Sequence, residues 1–343
     1  MWPGTSEPLA LPEWQSAPGD PRRALSAIFD WVNSSALREV VAAFTDDAGA
    51  SPWDSSRPQD LAGLLERLDH FSLRWDFRAG GERDGATGAS FGDLQSSVVE
   101  RVSACLGLAD RSTPSRRHYD VMLLTGGMVR AAIVKPRFVA ELFASGLSAT
   151  AVVFLGAARD FSQAEELLAA QLGLVLLDDA GSSAVRFVNN EFDAMVAGLN
   201  SAFTRRGAPR ASGGTKRQND DGSWVWSWPR SAPTLSVVAA PSATAIRRAN
   251  TADTFRYWAE NLVPPGARSL LVVTTPVYVP YQSAIAVGTL GLEYGFSVET
   301  VGASATSQQL GDLSQAFETH HHLQELRSAI RGMRELYAAL SNL

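Results

Sequence analysis

Between Arg23 and Phe44 the apolar residues Leu25, Ile28, Phe29, Val32, Leu37, Val40, Val41 and Phe44 fall mostly three and four apart. That is the period of an amphipathic helix. Leu61, Leu64, Leu65 and Leu68 repeat the spacing, and residues 94–108 make a third helical stretch. Residues 78–90, rich in glycine and without period, read as a loop, and 109–117 as a polar linker. From Tyr119 short apolar runs alternate with helical patterns. Strands are predicted at 121–124, 149–155, 174–177, 235–239, 270–273 and 298–301. Helices are predicted at 131–144, 162–172, 189–204, 250–262, 281–294 and 310–340, the last with a bend at Gly332. The strands are continuously apolar rather than alternating, so both sheet faces must be covered. The pattern predicts a Rossmann-like α/β fold, a mainly parallel sheet flanked by helices. Residues 1–117 are expected to form a tail and helical region packing on an α/β domain over 118–343.

One segment interrupts the alternation. Residues 205–232 carry Ser212-Gly213-Gly214 and Asn219-Asp220-Asp221-Gly222, then Trp224, Trp226 and Trp228 at strand spacing. A loop followed by a hairpin strand with surface tryptophans accounts for this. An aromatic lid, or a surface for a second copy of the chain or another protein, accounts for it as well.

Composition narrows the class. Of 343 residues, 45% are hydrophobic and 19% charged, which describes a globular chain and excludes collagen, coiled-coil and disordered readings. Thirty basic against thirty-six acidic side chains, net −6, lack the basic excess expected of a nucleic-acid binder. The single cysteine, Cys105, allows no internal disulfide and fits a reducing compartment. Residues 269–292 carry no charge and are long enough to span a bilayer. Yet Thr274-Thr275-Pro276 and Pro280-Tyr281-Gln282-Ser283 would leave polar groups unsatisfied in lipid, so strand, turn and helix is the better reading. A cytoplasmic protein is expected, without membrane insertion.

In an open parallel sheet, ligands bind outside the carboxyl ends of the strands. The first strand is followed by Thr125, Gly126, Gly127 and Met128, where bare amides near a helix start suit an anion. Arg130, Lys135 and Arg137 follow as cationic partners. No dinucleotide or P-loop glycine motif is present. The second strand leads to Gly156, Arg159 and then Glu165-Glu166. The fourth leads to residues 242–244 and to Asn250, Thr251 and Asp253, in which Asn250 is also a credible helix cap. The fifth leads to Thr274, Thr275 and Tyr278, whose hydroxyls suit a small polar ligand. The pocket is therefore expected along residues 125–128, 156–159 and 242–244, with Asn250, Thr251, Thr274, Thr275 and Tyr278. No nucleophile elbow or zinc motif appears. His320, His321 and His322 are consecutive on a helix, splay ~100° apart and are not expected to share a metal. Cys105 reads as core.

In order, these blocks are a strand ending in glycines (Gly126, Gly127), a basic residue before a helix that ends in glycine (Lys135 or Arg137, then Gly146), and a second strand ending at Gly156. A glutamate-bearing helix (Glu165 or Glu166), Asn250-Thr251-Ala252-Asp253 and Val273-Thr274-Thr275 follow. Over residues 119–303 the arrangement resembles the YdcF-like family, the domain of unknown function 218. The resemblance implies a Rossmann-like fold with a cleft lined by these motifs, and S-adenosylmethionine or a nucleotide as cofactor. The histidine and arginine usual after the "VTS" strand stand here as Tyr278 and Tyr281, and the membrane helices of envelope-linked relatives are absent. Three functions are weighed. The first is an enzyme on a nucleotide-like polar molecule, with Glu165 or Asp253 as base and Tyr278 as hydrogen-bond donor. There Gly126, Gly127 and Asn250 position the ligand and Arg137 neutralises an anion. The second is a non-catalytic sensor or accessory protein, and the third a structural subunit.

Overall fold

The helical stretch over 23–44 divides at Asn33-Ser34. Helix α1 (Pro21–Val32) starts where the Asp20 carboxylate accepts the Arg22 and Arg23 amides, and α2 (Ser35–Ala43) starts where Ser34 Oγ accepts the Leu37 amide. Side-chain acceptors of this kind satisfy the first-turn amides that no helix can bond internally. Helices α3 (Leu61–Ser72) and α4 (Asp93–Ser103) complete the N-terminal region. The computed structural model describes residues 8–15, 19–45, 51–53, 60–77, 90–109, 113–177, 185–204, 214–244, 247–303, 311–314 and 316–343. Most of the glycine-rich segment 78–90, and residues 205–213 of the insertion, lie outside the described residues.

The remaining elements are β1 (His118–Thr125), α5 (Val129–Ala144), β2 (Ser148–Ala157), α6 (Gln163–Gln171), β3 (Val175–Leu177), β4 (Val185–Phe187) and α7 (Glu191–Thr204). After them come β5 (Thr215–Gln218), β6 (Trp224–Trp228), β7 (Thr234–Ala240), α8 (Thr251–Asn261) and β8 (Ser269–Thr274). The chain ends with α9 (Val279–Ala286), which continues as a π-helical segment Val287–Glu293, then β9 (Ser297–Gly302) and α10 (Thr319–Leu340). The sheet runs β5-β6-β7-β2-β1-β8-β9, with β7, β2, β1, β8 and β9 parallel and the β5-β6-β7 edge antiparallel. Among the described residues no helix is long and apolar enough to cross a membrane.

Alternate residues of each strand feed two cores, as the two-residue strand period requires. Val121, Leu123, Val153, Leu270 and Val272 face a core shared with α1 to α4, α9 and α10. Met122, Leu124, Val152, Leu271 and Val273 face α5 and α7. Helices α1, α3 and α4 pack on α10, which packs on α9, and Trp14 pairs backbone to backbone with Val298 on the outer edge of β9.

Two expectations need correcting. The apolar run at 174–177 is not a strand of the main sheet, since β3 pairs only with β4 in a separate antiparallel ribbon. A four-residue apolar run fits either setting, and periodicity cannot choose between them. Trp226 and Trp228 do not lie on the surface, where the loop-and-hairpin reading put them. Trp226 and Trp228 are buried in the α7-facing core and Trp224 packs beside them, because β6 adds to the sheet and turns that face inward.

Candidate functional site

From β1 the parallel strands proceed one way to β2 and β7, and after β7 the chain returns to the other side for β8 and β9. Connections leaving β1 and β8 therefore run in opposite directions and leave a crevice at their carboxyl ends. A cleft of about 930 Å³ opens there. It is lined by Thr125, Gly126, Gly127 and Met128 from β1, Gly156, Ala157 and Arg159 from β2, Asn250 and Thr251 at α8, and Thr274 and Tyr278 after β8. Glu165 at the start of α6 also lines it.

The floor is a chain of hydrogen bonds. Lys135, 1% exposed, donates to the carbonyls of Thr125 (2.6 Å) and Gly126 (3.0 Å) and to Thr125 Oγ1 (3.1 Å). Thr125 Oγ1 donates to Thr274 Oγ1 at 3.0 Å across the β1–β8 pair. Lys135 thereby replaces Arg137 as the cation under the glycine loop. On α5 the two positions lie about 200° apart, so one points at the strand end and the other, Arg137, is exposed.

Beside this floor stands an ion cluster. Arg159 holds Glu165 bidentately (2.8 and 2.6 Å) and reaches Glu191 Oε2 through Nε at 3.3 Å. Glu165 also accepts the Ser162 amide and hydroxyl in a capping box at α6. Burial acts to raise its pKa, but the Arg159 and Ser162 bonds outweigh burial and hold the carboxyl below its ordinary range. Glu165 is thus a fixed anion and unsuited to the base role expected of it. Glu191 is different: burial lifts its pKa despite Arg159 and the Gly127 amide, which donates to Oε1 at 3.0 Å. Its carboxylate fills the hollow between the two glycine strand ends. A Cβ at Gly126 would overlap Oε1, and one at Gly156 would sit 2.9 Å from it.

Asn250 caps α8 by accepting the Asp253 amide (2.9 Å), while Asp253 accepts the Asn250 amide (3.0 Å) and pairs with Arg247. Burial acts to raise the Asp253 pKa, but Arg247 and the Asn250 amide prevail and lower it. Asp253 lies behind the wall and does not line the cleft, which ends its candidacy as a base. Arg130, Thr275 and residues 242–244 also stand outside the lining. Thr275 already belongs to the turn into the next short helix, and β7 ends before 242–244 reach the crevice.

Sequence reasoning missed the far wall. Gln282 of α9 is buried; its Nε2 donates to Thr251 Oγ1 (3.1 Å), while Oε1 has no partner. Glu325, Ser328, Arg331 and Glu335 on α10 complete the lining, joined by Tyr281, Arg247 and Arg248. Their three- and four-residue spacing was the available signal: a polar stripe along an otherwise apolar helix. Away from the cleft, Glu318, His320 and His321 bring ligand atoms within 4.8 Å of one another, and the two imidazoles lie 3.9 Å apart. The expected splay fails in this first turn because both rings fold back toward the cap, where His321 Nδ1 accepts the Glu318 amide.

Fold and cleft together define an α/β protein with a Rossmann-like strand order and a polar crevice at the strand-order reversal. The chain belongs to the family of Rv3785 of Mycobacterium tuberculosis, an uncharacterized protein to which it is 32% identical over 352 residues, covering 93% of this chain and 91% of that one. It matches the uncharacterized protein Mb3814 of Mycobacterium bovis to the same extent. Residues 15–107 match the model of the Rv3785 N-terminal domain. No solved structure matches the chain. This membership overturns the resemblance to the YdcF-like family. The blocks that suggested it have local explanations: Asn250 to Asp253 is a capping box, and the glycines make room for Glu191. The expectation of S-adenosylmethionine or a nucleotide as cofactor rested on that resemblance and loses that support.

Proposed function

We propose that this chain binds a nucleotide-like polar small molecule in the crevice at the carboxyl ends of β1, β2 and β8, with Glu191 as the acid–base group. The position of the cleft carries the reading, since a crevice at the reversal of strand order is where open α/β sheets take ligands. Its volume falls in the range that ordinary small-molecule sites occupy. Glu191 supports an acid–base role because a carboxyl whose pKa is raised in a cleft can hold and release a proton nearer neutrality. The test is a panel of nucleosides, nucleotides and sugar nucleotides, screened by thermal shift and calorimetry on the full chain. Saturable binding by one class is expected, with turnover lost and binding kept in Glu191→Gln. Absence of binding by any of them at millimolar concentration refutes the proposal.

A further inference from the structure

Helix α10 begins at a cluster of ligand-bearing side chains that has no part in the cleft. Glu318, His320 and His321 each place one donor atom so that all three lie within 4.8 Å of one another, and none of the three lines the crevice. Consecutive helix positions diverge by ~100°, so helix geometry alone does not bring His320 and His321 together. They converge because their rings are stacked, with centroids 3.9 Å apart. Phe77 meets the His320 ring edge-on at 6.2 Å, and Phe317 meets the His321 ring edge-on at 6.0 Å. His320 is 6% exposed, so the packing around it holds its imidazole in place.

The spacing of the donors decides what they suit. His320 Nδ1 stands 3.3 Å from Glu318 Oε2. A charge-assisted hydrogen bond between such groups closes to about 2.7–2.9 Å. A separation of about 3.4 Å is instead the edge of a tetrahedron whose centre carries zinc, with its bonds of roughly 2.0–2.2 Å to nitrogen and oxygen. Binding has a local cost. His321 Nδ1 accepts the Glu318 amide at 3.0 Å, and a neutral imidazole has a single lone-pair nitrogen. Ligation through either nitrogen takes that acceptor from the amide, which belongs to an exposed residue and passes to water. The positive end of the α10 dipole also opposes a cation. The Glu318 carboxylate offsets both, supplying the negative charge that two neutral imidazoles lack.

We propose that Glu318, His320 and His321 form a site for one divalent transition-metal ion of the zinc type. A carboxylate and two imidazoles hold the ion, and a fourth position faces water on the side of Glu318, whose side chain is 72% exposed. Imidazole combined with carboxylate suits zinc and its transition-metal neighbours, whereas magnesium and calcium take oxygen ligands. The site is independent of the cleft and of the function proposed for it.

Calorimetry on the chelator-stripped full chain with zinc, magnesium and calcium tests this, with cobalt(II) as a coloured probe. One zinc per chain is expected, magnesium and calcium should give no heat, and cobalt should show the strong visible bands of four- or five-coordinate ligation. Glu318→Gln and His321→Ala should each weaken zinc tenfold or more. Glutamine keeps the size of Glu318 and the backbone bonds of the cap, so that loss reports the ligand and not the fold. His321→Ala should lower the melting temperature without metal and also abolish the rise that zinc brings. The His322 ring is turned to the Glu318 carbonyl, with Nδ1 at 3.2 Å, so His322→Ala should bind zinc as the wild type does. Zinc held equally by the wild type and Glu318→Gln, or lost as much in His322→Ala as in His321→Ala, shows binding to the histidine run as such and overturns the site. No heat and no cobalt bands at about 0.1 mM metal overturns it as well.

Discussion

Glu191 sits between Gly126 and Gly156 with a carboxyl lifted by burial above its ordinary value of 4.5. With the folded-state pKa raised, the stability this group contributes is complete below about 4.5 and is lost as pH rises through the folded value. Glu165, held below 4.5, has the opposite sign: its contribution is present above that value and is lost as pH falls through the folded one. Melting curves taken from about pH 4 to about pH 8 should therefore show the wild type losing ground to Glu191→Gln with rising pH. Glu165→Gln should lose ground to the wild type only at the acid end, up to about pH 5, and run parallel to it above, and curves parallel throughout for all three would falsify the assignment. Arg159 joins the two carboxylates, whose side chains are only 4% and 8% exposed. Arg159→Met leaves both without their cation and should cost roughly 3 kcal/mol in chemical denaturation, as breaking buried ion pairs does. A loss below about 1 kcal/mol would show the pair to be solvated. Arg159 was legible in the sequence as a residue just past a strand end. Glu191 was not, because an acidic residue opening a helix is adequately explained by the helix dipole.

Helix α8 owes its start to the Asn250–Asp253 box. Asn250→Ala should cost about 1 kcal/mol and Asn250→Ser only a few tenths, since serine caps nearly as well. Equal losses in urea denaturation would place the role of Asn250 outside capping. The α5–α7 pair depends on a glycine instead. A Cβ at Gly198 would collide with the carbonyl oxygen of Ala132, so the two helix backbones touch at that point. Neither backbone can yield without moving its helix, and Gly198→Ala should destabilise by about 3 kcal/mol, near the upper end for overpacking. Gly146→Ala is no control for this, because its φ of 91° is itself strained for alanine. Gly288→Ala is, since its Cβ would stand 3.8 Å from its nearest neighbour, Leu336. A small effect at Gly288 and a large one at Gly198 is the expected outcome.

At the scale of the whole molecule, one apolar core runs from Ile28 and Trp31 in α1 through Leu323 and Ile330 in α10 to Val121 and Leu270 in the sheet. Trp14 extends that core to the outer edge of β9 and lies against Gly291. A continuous core unfolds cooperatively. Tryptophan fluorescence and far-ultraviolet circular dichroism should consequently report one coincident transition in urea, with Trp14→Ala moving the whole curve by about 3 kcal/mol. Separate transitions for the helical and sheet regions would contradict the shared core.

By itself the sequence determined the α/β class, the places of the five parallel strands along with a sixth run at 174–177 that pairs elsewhere, and most of the helices. Those features follow from local periodicity, which depends only on which side of an element meets water. It also pointed to the strand ends as the place for Thr125, Gly126, Gly127, Gly156, Asn250, Thr251, Thr274 and Tyr278, because a parallel sheet gathers such positions at one edge wherever they fall in the chain. Tertiary structure alone decided which charges meet there. Lys135 rather than Arg137 lies under the loop, Glu191 fills the glycine hollow, and Gln282 and the polar stripe of α10 close the far wall. Those choices turn on helix rotation and on contacts between separate elements, such as Gly127 with Glu191, and a linear pattern carries neither.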